Sequence, residues 1–239
     1  MKCLELPNEQ MLLVPMKIEG LIVGKEGEEL SYGDAAVNFQ MLEQTTLGDQ
    51  MQAAPLSGGK PLEPGIHLHW ILPDSFTHGI RNSEAGEVSY PQVPDRWLVT
   101  RIVTREENQI EIFASSKSFL VESNALLKKV SKENRGSSTF PIRKQDSLDY
   151  AYLGRSGELG SMDEAEEYLE ELTAVGYGEP TFGAYYQGCR NVFGFYDALE
   201  DVDEGQITYQ ICGWYSTPSK DPLYGINSEE EFEKKLKEL

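Results

Sequence analysis

The feature that most restricts what this chain can become is the run Arg96-Trp97-Leu98-Val99-Thr100-Arg101-Ile102-Val103-Thr104-Arg105. Trp97, Val99, Arg101 and Val103 fall on one side of an extended backbone and Leu98 and Ile102 on the other. That is the two-residue period of a strand, not the 3.6-residue period of a helix. Glu106-Glu107-Asn108-Gln109 is a polar turn, and Ile110-Glu111-Ile112-Phe113-Ala114 resumes the alternation, so 96–114 reads as a β-hairpin. Further β-prone segments lie near 11–23, 66–72, 182–195 and 206–215, rich in β-branched and aromatic residues.

One main helix is expected. Ser161 and Glu164 have capping-box spacing, Asp163 and Glu164 suit the positive end of a helix dipole, and Ala165, Tyr168, Leu169, Leu172 and Val175 recur at three- and four-residue spacing. The fold class implied is α+β with β dominant: an antiparallel sheet or sandwich with long loops and one main helix at 162–175. Residues 1–226 form a single β-rich domain on this reading. Ser228-Glu229-Glu230-Glu231 repeats the capping box and opens a C-terminal helix within 227–239. Its short apolar stripe (Phe232, Leu236, Leu239) reads as docked on the domain or as the start of a longer segment.

Length and charge narrow the function classes. A chain of 239 residues buries enough apolar surface to fold without disulfides. Its 21 lysines and arginines stand against 40 aspartates and glutamates, a net charge of −19 that opposes approach to a phosphate backbone or an anionic membrane. No nucleic-acid partner is expected. No apolar run approaches the roughly 20 residues that span a bilayer, and the first residues lack a signal-peptide pattern, so no membrane insertion is expected either. Cys3, Cys189 and Cys212 are odd in number, scattered and without a CxxC pair, which suits reduced thiols in a cytoplasmic protein.

The chemistry-bearing residues concentrate in Pro64-Gly65-Ile66-His67-Leu68-His69-Trp70-Ile71-Leu72-Pro73-Asp74, because all three histidines of the chain lie between 67 and 78. His67 and His69 share one strand face, opposite Ile66, Leu68 and Trp70. Two imidazoles so placed can hold a divalent metal, with Asp74 or His78 completing a three-ligand set. The same spacing arises on any half-buried strand whose histidines bond to backbone carbonyls. Trp70 and Trp97 read as anchors of one core, and Arg96 as an arginine that locks two proline-bounded turns through Asp95 or Asp74.

Cys189 beside Arg190 reads as a buried thiol among aromatics rather than a cation-stabilised nucleophile. With Trp214 these residues make up the structural or interface set. Asp197, Glu200, Asp201, Asp203 and Glu204 read as an acidic surface loop, since their order lacks the oxygen-ligand spacing of an EF-hand. Lys128, Lys129 and Lys132 read as a solvated face. No phosphate-binding glycine loop, GxSxG or HExxH pattern occurs, so enzyme chemistry has no motif behind it.

Gly65-Ile66-His67-Leu68-His69-Trp70-Ile71-Leu72-Pro73-Asp74, Val93-Pro94-Asp95-Arg96-Trp97-Leu98-Val99, Cys189-Arg190-Asn191-Val192-Phe193-Gly194-Phe195-Tyr196-Asp197 and Gly213-Trp214-Tyr215-Ser216 together resemble the N-terminal region of large uncharacterised bacterial proteins. The resemblance covers most of residues 11–225. It implies architecture rather than a particular chemistry, and a C-terminal helix that continues in longer relatives. The expected function is a non-catalytic binding or assembly module with a protein partner or larger assembly. The alternative is a metal-binding protein or metal-dependent hydrolase centred on His67 and His69.

Overall fold

A computed structural model describes residues 16–24, 31–32, 64–81, 88–107, 110–128, 140–141, 152–174, 193–226 and 228–238. In chain order its strands are β1 (Lys17–Val23), β2 (Ser31–Tyr32), β3 (Gly65–Ile71), β4 (Ile80–Arg81), β5 (Val88–Ser89) and β6 (Arg96–Glu107), then β7 (Ile110–Leu127), β8 (Phe140–Pro141), β9 (Tyr152–Glu158), β10 (Glu167–Tyr168), β11 (Gly194–Asp197) and β12 (Gln206–Trp214). Among the described residues one α-helix, α1 (Glu229–Glu238), follows. The β-dominated, antiparallel class is the one expected.

The strands form a smaller sheet in the order β11-β3-β1-β2 and a larger one in the order β12-β6-β7-β9-β8, with β10 added to β7. β4 and β5 pair as a separate two-stranded ribbon. The expected hairpin is the centre of the larger sheet. Arg96 stands opposite Glu122, and the ladder runs to Glu107 opposite Ile110, with one bulge where Val103 gives way to Thr104. β7 extends far past the expected end at 114, to 18 residues. Polar residues such as Ser115, Ser116 and Ser118 hide it from a hydrophobicity pattern.

The period-2 face of β6 does what its sequence requires. Trp97, Val99, Arg101 and Val103 are buried, while Leu98, Thr100, Ile102 and Thr104 on the opposite face are only partly so. The buried face meets the smaller sheet, whose Leu68, Trp70, Phe193 and Phe195 join Trp97, Val99 and Val121 in one core. Trp70 and Trp97, 0% and 1% exposed, lie with ring centroids 5.3 Å apart, and Phe119 meets Phe195 at 4.7 Å. The Trp97 indole donates to Ser123 Oγ at 3.0 Å, so its polar edge is satisfied inside the core. Gly213 stands opposite Trp97 on β12, and a Cβ there would come within 2.2 Å of the indole. A glycine at 213 is what lets that ring lie across the neighbouring strand.

The helix expected at 162–175 does not form over the described part of that span. Ser161 closes a turn instead of capping a helix: its N–H and Oγ both donate to Glu158 O, at 3.0 and 2.7 Å. Glu167 and Tyr168 then pair with Leu126 and Ala125, and Thr173 bridges to Gln92. The reason is tertiary. β7 buries Glu122 and Asn124, and the extended segment offers them partners: Leu169 N donates to Asn124 O, Asn124 Nδ2 donates to Leu169 O, and Tyr168 OH donates to Glu122. A helix would have spent those backbone groups on itself, leaving buried polar atoms unmatched. The inside-outside pattern survives the change of conformation, because Leu172 and Ala174 are buried and Glu166, Glu167, Glu170 and Glu171 remain exposed.

The C-terminal helix forms as expected, with Ser228 Oγ accepting from Glu231 N–H at 3.2 Å. Among the described residues no helix is long and apolar enough to cross a membrane. The expectations for 11–15, 182–192, Lys129 and Lys132 fall outside the described residues.

Candidate functional site: the open edge of the larger sheet

β12 is nine residues long, Gln-Ile-Thr-Tyr-Gln-Ile-Cys-Gly-Trp, and lies at the end of its sheet, bonded to β6 from Gln206 opposite Thr104 to Trp214 opposite Arg96. Its residues alternate strictly. Ile207, Tyr209 and Ile211 turn inward, two of them onto the core, while Gln206, Thr208, Gln210, Cys212 and Trp214 face water. Among the described residues no strand pairs with its other side. An edge strand presents every second N–H and C=O outward, ready for another chain.

Two buried polar networks hold this strand in place. The first lies on the inner face, where the strand period of β6 forces Arg101 among apolar neighbours and leaves it 2% exposed. Arg101 Nη1 donates to both carboxylate oxygens of Asp197 at 2.9 Å, and Nη2 to both of Asp201 at 2.7 and 2.6 Å. Leu199 makes that double grip possible. It adopts φ 56°, and its N–H donates to Asp197 Oδ1 at 3.0 Å, folding the chain back so that Asp201 reaches the same guanidinium. Tyr209 of β12 stands opposite Arg101, and its hydroxyl donates to Asp197 Oδ2 at 2.8 Å.

The electrostatics follow from this packing. Burial alone would pull the Arg101 guanidinium down, but the hydrogen bonds and charges of Asp201 and Asp197 outweigh it and hold the group above its ordinary value. Hydrogen bonding to Arg101 holds the Asp201 carboxyl below its ordinary range, although burial acts in the opposite direction. The Tyr209 phenol is pushed far up, first by burial and then by the charge of Asp197.

The second network ties down the end of β12. Asp95 is buried just before β6; its Oδ1 accepts from Ser216 N at 2.7 Å, and its Oδ2 from Ser216 Oγ at 2.7 Å and Asn124 Nδ2 at 3.1 Å. The Tyr215 hydroxyl donates to Gln92 O at 3.0 Å, and burial, then the charges of Asp221 and Asp95, push that phenol up. One row on, Trp214, Arg96, Glu122 and Arg155 stand opposite one another across four strands. Glu122 receives Arg96 Nε at 3.3 Å and Arg155 Nε at 2.5 Å, and Tyr168 lies under the Arg96 guanidinium at 4.8 Å.

The residues singled out in the sequence distribute as follows. Trp70 and Trp97 are core anchors, as expected. The closest carboxylate to Arg96 is Glu122, its cross-strand partner on β7, with Asp95 at 3.6 Å, so Arg96 ties β6 to β7; Asp74 is exposed in a short 3-10 turn and plays no part. Trp214 is 42% exposed at the end of the open edge. Cys189 and Arg190 lie outside the described residues, and Cys212 is a free, exposed thiol.

His67 and His69 share a face of β3 and are 3% and 4% exposed, with the His67 ring stacked on Tyr196 at 4.6 Å. His78 and Asp74, by contrast, are exposed. Among the described residues no group of three or more histidines, cysteines or carboxylates is placed to hold a metal ion, so the structure does not gather these four into a ligand set. Of the run expected as an acidic surface loop, Glu200, Asp201, Asp203 and Glu204 are exposed, whereas Asp197 is buried; Arg101 pairs with both Asp197 and Asp201. The signal for that was in the sequence: an arginine on the apolar face of a strand demands carboxylates, and the acidic run 197–204 supplies them. The chain matches no protein-family model, no curated protein and no solved structure.

Proposed function

We propose that this chain is a non-catalytic binding and assembly module, acting in the cytoplasm as part of a bacterial protein or complex, and that it engages its partner by strand addition along β12. The observation that carries this reading is a long edge strand, free of charge and proline, anchored by buried networks, whose outer rim no strand covers among the described residues. Strand addition gains affinity from main-chain hydrogen bonds and specificity from alternate side chains. A rim already held in the bound geometry loses little conformational freedom on docking. The buried charges described above support the same reading, because Arg101, Asp95 and Glu122 are each engaged by other groups of this chain rather than presented to a substrate.

The reading is tested by placing a photo-crosslinking residue at Gln210 and, as a control, at the exposed Glu170, in cells of the producing organism. Discrete higher-mass adducts from Gln210 and none from Glu170 are expected. Only monomer from Gln210 overturns strand addition at β12. Stoichiometric zinc, nickel or manganese in the purified protein, lost on His67→Ala, would move the function to the metal centre instead.

A further inference from the structure

Resting on the assembly reading above, we infer that the occupant of the β12 edge is a second copy of this chain, its β12 running antiparallel to the first about a two-fold axis at Gln210. Among the described residues, the other outer strands of the two main sheets are short or carry proline, as natural edges commonly do. β8 and β2 have two residues each, β8 containing Pro141, and β11 has four. β12 alone among these is long, with nine residues and no charge, proline or bulge against β6.

The absence of charge points to a like partner. This chain carries a net charge of −19, with 26% of its residues charged, so any carboxylate on a self-pairing strand would meet a field of its own sign. A partner selected by charge would be basic and would be met by acidic side chains on the rim; the rim has none. Pairing about Gln210 uses the whole strand. On the outer face Gln210 meets the partner's Gln210, Thr208 the partner's Cys212, and Gln206 the partner's Trp214. On the inner face Tyr209 meets the partner's Ile211, an aromatic to β-branched pair of the kind that stabilises sheets. The contact is self-complementary, as a two-fold interface must be, and makes one continuous sheet across two subunits.

Sedimentation equilibrium of the full chain over a range of concentration and salt tests this. Dimer is expected, strengthening as salt rises from about 0.02 to 0.3 M, because screening relieves repulsion between two acidic molecules. Gln210→Lys and Gln210→Glu each place like charges face to face and should each raise the dissociation constant about ten-fold or more. Mixing the two variants should restore association, and unchanged thermal midpoints for both would show that the fold is intact. A chain that stays monomeric throughout, a dimer indifferent to Gln210→Lys, or variants that do not recover on mixing would each overturn pairing about Gln210. Gln210 crosslinks to a different protein, with a monomer in the centrifuge, would remove the second copy while leaving the assembly reading in place.

Discussion

Replacing Arg101 with Met removes the centre of the inner lock at nearly constant side-chain length, and the structure divides the consequences unequally between its two carboxylates. Asp197 is buried, and without Arg101 it keeps only the Tyr209 hydroxyl and Leu199 N–H as neutral donors. Asp201 has half its side chain exposed and can be rehydrated. The cost therefore belongs mainly to Asp197, and leaving a buried charge without its counterion typically costs about 3–5 kcal/mol. For a chain of this size that lowers the thermal midpoint by roughly 6–20 °C. Asp201→Asn, by contrast, should cost about 1 kcal/mol or less.

The pH dependence carries a sign. Asp201 titrates below its ordinary value of 3.8 in the folded state, so its contribution is present above that value and lost as pH falls through the folded one. The gap between the native chain and Arg101→Met should accordingly narrow in acid. Urea unfolding followed by tryptophan fluorescence at neutral and acid pH measures it. An Arg101→Met midpoint indistinguishable from that of Asp201→Asn would refute the division, and with it the claim that this lock sets the position of β12.

Two further outcomes follow from packing and titration. Trp97→Ala should destabilise by roughly 3–5 kcal/mol in chemical denaturation, whereas Trp214→Ala, at the exposed end of β12, should stay within about 0.5 kcal/mol of the native chain; equal losses would contradict their different burial. The Tyr209 phenol titrates above its ordinary 10.0 in the folded state, so stability should fall as pH rises past that value, and Tyr209→Phe should flatten the alkaline decline measured by urea midpoints.

Local pattern was sufficient for the strands whose own residues declare a face. The alternation of 96–105 placed Trp97, Val99, Arg101 and Val103 on one face, the run 206–215 became β12, and Ser228 began α1, because each depends on contacts within a few residues. The buried state of Trp70 and Trp97 was legible for the same reason. Segments whose conformation depends on distant partners were not. Residues 162–174 carry helical spacing and a capping box, yet they lie extended because the buried Glu122 and Asn124, some 45 residues earlier, form hydrogen bonds with them.

The candidate site divides in the same way. Sequence alone determined that 206–215 would be an uncharged, alternating strand and that Arg101 would share a strand face with Trp97, Val99 and Val103. Only the tertiary structure decided that β12 lies at an edge, that Arg101 is matched by Asp197 and Asp201 from nearly 100 residues away, and that Arg96 turns to Glu122 rather than Asp74. Strand order and charge pairing across such separations are properties of the whole packed chain. A buried charge selects its partner by which carboxylate the completed sheets bring within reach, and no local spacing encodes that.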